Sequence, residues 1–391
     1  MTTRRAFLHS ALGAGAALAA AVPFSRLLAQ ATSSATAPLV VPGKEKLIVN
    51  SYRFLDLEMP LAELRSWITP VDLFFVRNHV SEPFAMDVND WTLTVAGEVE
   101  RPLTLRMADL VKLEPATVTN TLECAGNGRA NYVPHVPGIQ WRRGAVGNAR
   151  FTGPRLKDVL ERAGLKPTAH HVAFRGWEEP PSRVPQFIRS IPLEKALDPA
   201  TLVALQMNGA PLLKHHGFPA RALVPGWIGA ASVKWLKEIT VLSEEFAGNF
   251  MKPGYRMPTR ALAPGEEVKP EETAAITALN VKSVIAQPAR DVRRGGPVRV
   301  SGAAWAGEND VAKVEISSDG GQSWNPAQLG REQARYCWRL WQYDWRPARA
   351  GDYILMARAT DSAGRVQPET APWNPSGYIW NGIDNVAVHV A

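Results

Sequence analysis

Cysteine is almost absent. The 391 residues hold two, Cys124 and Cys337, so no disulfide framework organises this fold. Neither sits in a Cys-x-x-Cys-His run, which argues against covalently attached c-type haem. Blocks of five or more basic residues are missing, as are nucleic-acid motifs, and the formal net charge of +7 is modest. No nucleic-acid partner is therefore expected. No stretch is apolar for the about 20 residues that a membrane-spanning helix needs. Long helical patterns are also scarce. Thirty-one prolines and thirty glycines point to a loop-rich, β-rich chain, and an apolar share of 46% suffices for sizeable cores.

The N-terminus reads as an export signal. Thr3-Arg4-Arg5-Ala6-Phe7-Leu8 is a twin arginine before an aromatic and a leucine, followed by a weakly apolar Ala/Gly stretch to Val22. Ala29-Gln30-Ala31 offers a cleavage site, so residues 1–31 are read as a Tat signal peptide. The alternative is an interfacial anchor helix. The Tat route carries folded proteins, often with a cofactor already inserted. The mature protein is thus expected to be periplasmic, soluble and loaded before export. Losing Arg4, Arg5 and Arg26 with the leader leaves about +4 of the formal +7. Such a balance suits a small anionic substrate or an acidic partner.

Two domains follow, at 46–262 and 275–391. Helices are expected at Met107 to Lys112 and at Arg155 to Gly164, where Leu156, Val159 and Leu160 share a face and Gly164 is the stop. Thr117 to Leu122 reads as a strand. Residues 263–272 are acidic and proline-broken, as linkers are. Beyond them apolar residues alternate, as in Val298 and Val300, Val314 and Ile316, Tyr353, Leu355 and Ala357, and Val386, Val388 and Val390. Turn clusters such as Ser318-Asp319-Gly320-Gly321 separate these strands. This spacing argues for an immunoglobulin-like sandwich.

Three segments carry chemistry. Cys124 lies in Thr-Leu-Glu-Cys-Ala-Gly-Asn-Gly-Arg (121–129), a Gly/Asn loop straight after a strand. A lone thiol there is a reactive or metal-bound sulfur, or else an inert core cysteine. Phe75-Val76-Arg77-Asn78-His79 places a guanidinium, whose planar donors suit an oxyanion, beside a histidine. Lys214-His215-His216-Gly217-Phe218-Pro219-Ala220-Arg221 leads to Val224-Pro225-Gly226 and then Val233-Lys234-Trp235-Leu236. Clustered cations with glycine nearby bind phosphate well. The paired histidines could instead serve zinc, but no third ligand has suitable spacing. His170-His171 reads as a polar loop before a strand.

Together these segments resemble the sulfite oxidase family of molybdenum enzymes, over about Val49 to Val390. The resemblance implies an α+β fold: a mixed α/β molybdopterin domain followed by an all-β immunoglobulin-like sandwich that forms a homodimer. Ser317 to Trp324, Cys337 to Trp341 and Ala371-Pro372-Trp373-Asn374 carry the second part, which makes Cys337 a packed core thiol. It further implies that Cys124 ligates molybdenum. Phe75, Arg77, Asn78 and His79 would contact the pterin, and His216, Arg221, Ser232 and Lys234 would hold the pterin and its phosphate. Arg77 and Arg129 would position the substrate, Trp141 would wall its pocket, and Tyr255 with His79 would tune hydrogen bonding near the metal. In animal sulfite oxidases a third substrate arginine follows the Trp-Asn pair by two residues, where this chain has Ser376.

The expected activity is molybdenum-dependent oxidation of sulfite to sulfate. The haem domain of the animal enzymes is missing, so electrons would pass to a separate c-type cytochrome. Within the family a sulfane dehydrogenase subunit, with a dihaem partner and a sulfur carrier, shares the Cys124 loop. A periplasmic methionine sulfoxide reductase and a nitrate reductase are further alternatives. A cofactor-free β-sandwich binding protein is the alternative from another class.

Overall fold

The strand that delivers Cys124 is longer than its sequence pattern suggests. It spans Pro115–Glu123 and pairs antiparallel with Val146–Pro154 in an unbroken register, Pro115 opposite Pro154 and Glu123 opposite Val146. Gln206–Met207 and Ala210–Pro211 extend this pair to a four-stranded sheet. The structure is a computed structural model that describes residues 40–83, 86–289, 291–293 and 295–391. The expected signal peptide at 1–31 lies outside the described residues.

A second, five-stranded sheet runs in the order Leu103–Arg106, Thr92–Gly97, Leu236–Leu242, His171–Gly176 and Ile188–Pro192. Thr92–Gly97 and Leu236–Leu242 are parallel, and the other neighbours are antiparallel. The helix Leu156–Ala163 packs by its Leu156, Val159, Leu160 and Ala163 face, and Gly164 ends it at φ 71°. The helix at Met107–Leu110 is a single turn that stops before the expected Lys112, because Val111 already caps it. Leu193–Leu197 forms a short helix that the pattern alone does not announce.

The C-terminal part is a sandwich of two four-stranded sheets. One holds Lys282–Gln287, Val298–Trp305, Arg339–Trp345 and Gln328–Leu329. The other holds Asn325–Pro326, Val311–Ser317, Gly351–Asp361 and Asp384–Val390. Val300, Val314, Ile316, Trp341, Leu355, Ala357 and Val388 meet between them, as the alternation requires. Each such aliphatic side chain contributes about 1.5–3 kcal/mol by leaving water. Cys337 is buried, and burial pushes its thiol up to about 12. It is an inert core thiol.

The acidic stretch at 263–272 is not an open tether. Arg256–Pro258 pairs with Thr273–Ala275, which closes residues 259–272 into a loop held by Arg260–Glu266 at 2.7 Å. Composition marks the segment as a linker but cannot show the strands that pin its ends. Residues 46–391 form one compact unit. The sandwich reaches the Cys124 strand directly: Trp338 N–H donates to Thr121 Oγ1 at 2.8 Å, and Thr121 N–H donates to the Tyr336 carbonyl at 2.9 Å.

Candidate active site

The Cys124 loop is shaped by its glycines and clamped from beneath. A Cβ at Gly126 would stand 2.8 Å from the Arg129 guanidinium, which would have to shift to admit it. Gly128 adopts φ 95°, and a Cβ there would meet the Trp380 ring at 2.6 Å. Asn127 closes the loop: its N–H donates to the Cys124 carbonyl at 2.8 Å, and its Oδ1 accepts the Ala145 N–H at 3.0 Å. Below it, Glu123 accepts from Asn127 Nδ2 at 2.9 Å, from Trp305 Nε1 at 2.8 Å and from Lys282 Nζ at 2.8 Å. Lys282 is 1% exposed and belongs to the sandwich, so the second sheet system fixes the loop of the first. The result is a Cys124 side chain held at the wall of a cavity.

That cavity encloses about 740 Å³, its open mouth included. Phe75, Arg77, Asn78, His79, Cys124, His216, Arg221, Ser232, Lys234 and Tyr255 all line it, although they come from segments up to 180 residues apart. Each of those ten positions is one that the family resemblance implies for the site. Trp141 and Arg129 stand elsewhere. Trp141 is fully buried in the cluster around Phe74, Leu122 and Phe151, so it supports the wall from behind rather than facing the cavity. Arg129 turns its guanidinium to backbone carbonyls, Nε to Ser376 at 3.0 Å and Nη1 to Ile139 at 2.9 Å, with the Tyr378 ring 5.4 Å away. Its charge still acts on Cys124.

Charge in the cavity is mostly positive. Arg77 pairs with Asp56 at 3.2 Å, and its Nη1 also donates to the Asn78 carbonyl; burial opposes its charge, and the Asp56 carboxylate beside it favours that charge. Arg221 donates to the carbonyls of His216 at 3.1 Å and Ser232 at 2.8 Å, and burial brings its pKa down to about 10. Lys234 donates to Asn78 Oδ1 and to the His215 carbonyl at 3.0 Å, and burial drops its pKa to about 7. Among the described residues neither Arg221 nor Lys234 has a carboxylate within ion-pair distance. Burial raises the Cys124 thiol, while Arg77, a Gly126 N–H and Arg129 oppose that rise.

His79 is neutral. Burial and the charges of Arg77, Lys234 and Arg189 push its pKa well below the usual imidazole value. It stacks on Phe187 at 4.0 Å and hydrogen-bonds the Tyr255 hydroxyl. Burial raises the Tyr255 phenol far above its normal range, so it stays protonated.

Sequence reasoning missed several groups. Asp56 orients Arg77, Phe187 supports His79, and Arg189 lies under Tyr255. Glu178 lines the cavity with Oε2 buried and unpartnered, and burial lifts its pKa to about 7. None of these lies in a recognisable motif. Their roles come from contacts across the fold. His215 Nδ1 bonds Glu82 at 2.7 Å, and among the described residues no group of three His, Cys, Asp or Glu side chains is placed to hold a metal ion.

The family resemblance asks this cavity to hold a molybdenum–pterin group that ends in a phosphate. The donor set fits it. One buried thiol faces the cavity, and a coordinating thiol is deprotonated outright by its metal. Arg221 and Lys234 are buried cations whose desolvation an incoming phosphate would relieve. Glu178 offers a lone acceptor for ring N–H groups.

Comparison with known proteins agrees with the fold and with a molybdenum cofactor. An oxidoreductase molybdopterin binding domain matches residues 79–250, and a Mo-co oxidoreductase dimerisation domain matches residues 273–391. Mitochondrial sulfite oxidase of Rattus norvegicus is 38% identical over 364 residues, covering 88% of this chain and 66% of its own. The chain therefore spans just under two thirds of that relative's length. Sulfite oxidase of Gallus gallus is 37% identical over 361 residues, covering 86% of this chain and 77% of its own. Nitrate reductase 1 (NADH) of Oryza sativa subsp. japonica is 35% identical, but only 40% of it is covered. The sulfane dehydrogenase SoxCD from Paracoccus pantotrophus superposes with a TM-score of 0.76 at 26% identity, covering 91% of this chain and 92% of that one. The chain belongs to the sulfite oxidase family, an oxidoreductase built to carry the molybdenum cofactor.

Proposed function

We propose that this protein oxidises sulfite to sulfate in the periplasm, as a homodimer joined through its C-terminal sandwich, and passes the electrons to a separate c-type cytochrome. The observation that carries this reading is the convergence of Cys124, Arg77, His79 and Tyr255 on one buried cavity wall. The bound molybdenum supplies oxygen-atom transfer and a two-electron redox change. The overall balance is sulfite plus water to sulfate, two protons and two electrons.

The chain's own residues supply the rest. Arg77, steered by Asp56, presents a fixed positive charge to an oxyanion. Tyr255 keeps its proton and can donate it in a hydrogen bond, while neutral His79 holds the phenol in place. The Phe75, Phe187 and Trp235 walls exclude water and strengthen each polar contact. The Arg4-Arg5 leader supports the periplasmic assignment.

A second reading has its own support. The likeness to a sulfane dehydrogenase favours oxidation of protein-bound sulfane sulfur. Sulfite-dependent reduction of ferricyanide by the purified, molybdenum-loaded protein separates the two. Turnover of free sulfite is expected. A fully loaded protein that ignores sulfite would overturn the first reading in favour of the second.

A further inference from the structure

One buried cation has no role in this reading. Arg189 lies on the strand Ile188–Pro192, two residues beyond Phe187, and is 1% exposed. Its Nη1 donates to the Phe250 carbonyl, and its Nε has no hydrogen-bond partner. Among the described residues no carboxylate stands within ion-pair distance of it. Glu245, whose charge reaches it, is already 3.4 Å from both Lys252 and Arg256. A buried charge without a counter-ion is costly and persists only where something compensates it.

What it touches is the polar end of the cavity wall. The guanidinium lies 5.0 Å from the centre of the Tyr255 ring. Tyr255 has φ 54°, a conformation that non-glycine residues hold only when their surroundings fix it. Phe250, whose carbonyl Arg189 engages, meets His79 edge-on at 5.1 Å. Arg189 does not line the cavity itself. It stands behind Tyr255 and His79, which do. At position 376, where the family resemblance places a third substrate arginine, the chain has a serine, and the Ser376 carbonyl accepts from Arg129.

We propose that Arg189 is a positioning residue that fixes Tyr255 and His79 and supplies, from behind them, a further positive charge for an oxyanion beside Cys124. The proposal rests on the anion-oxidising reading above.

The test uses the molybdenum-loaded protein and its Arg189→Gln and Arg189→Lys variants. Calorimetric titration with inorganic sulfate reads anion affinity without turnover. Sulfite kinetics with ferricyanide are measured on the same samples. Arg189→Gln is expected to weaken sulfate binding and raise the sulfite KM by about tenfold each, with kcat within about threefold. Arg189→Lys restores the charge without the planar fork and should return sulfate affinity to within about threefold of the parent. A purely packing role would be lost in both variants alike. Unchanged sulfate affinity in Arg189→Gln, or equal losses in both variants, overturns the proposal. Should Arg189→Gln fail to fold, the Arg189 Nε–H resonance of arginine-labelled protein, assigned by its loss in Arg189→Lys, decides. It should shift on sulfate addition, and an unmoved resonance refutes the idea. Parent protein that binds sulfate yet ignores sulfite overturns only the sulfite reading and leaves the Arg189 result intact.

Discussion

Replacing Lys282 with methionine should loosen the Cys124 loop without touching the cavity. Lys282 Nζ stands 2.8 Å from Glu123 Oε1 and 3.2 Å from the Asn127 carbonyl, and both charged partners are buried. Breaking a buried pair costs about 3–5 kcal/mol, because one charge is left without its partner. Here Glu123 keeps two neutral donors, Trp305 Nε1 and Asn127 Nδ2, so the low end of about 3 kcal/mol applies. For a unit of this size, 1 kcal/mol moves the melting temperature by about 1.4 °C, so the shift should be about 4 °C. Glu123→Gln combined with Lys282→Met removes both charges and leaves the glutamine oxygen as acceptor for one of the two donors, Asn127 Nδ2 or Trp305 Nε1. It should recover part of the loss. Thermal unfolding of the four proteins in the cycle, with molybdenum content measured on each, gives the coupling. A Lys282→Met protein within about 0.5 kcal/mol of the parent, or a double variant as unstable as the sum of the singles, would refute the clamp.

Two further outcomes follow from the same geometry. Gly128→Ala must place a side chain at φ 95° against Trp380, so it should cost about 1–3 kcal/mol and lower molybdenum retention; parent-like melting and loading would contradict this. In cofactor-free protein Lys234 has a pKa of about 7, against the ordinary value of 10.5. Between those values the unfolded chain binds more protons, so this residue makes the fold more stable as pH rises, by at most about 1.4 kcal/mol per unit. Denaturant unfolding from pH 7 to 10 should show the parent gaining on Lys234→Met across that window, and a pH-independent difference would be the wrong result.

Much of this was legible in the chain because it is local. Alternation of Val386, Val388 and Val390 marks a strand, and Gly164 marks a helix end, since each follows from period or backbone freedom within a few residues. The Cys124 loop was legible because its glycines answer to close approaches that only glycine permits. Contacts across the fold were not. Glu123 and Lys282 are 159 residues apart, and neither carries a mark of the other. Glu178 and Arg189 look like ordinary surface charges until burial is known. The family resemblance of its loop implies a substrate role for Arg129, yet carbonyls of Ile139 and Ser376, on distant segments, decide where its guanidinium points. The acidic stretch at 263–272 looked like a tether because composition reports solvation, not the pairing that closes the loop around it.

The central claim is that the cavity beside Cys124 holds the molybdenum. Molybdenum content and the sulfur ligand count by X-ray absorption, on the parent protein and on Cys124→Ser, test it most directly. The parent should carry about one molybdenum per chain, and Cys124→Ser should keep its fold, lose one sulfur from the metal's ligand set and lose turnover. An identical sulfur count in the two proteins, or retained turnover in the serine variant, would contradict the claim.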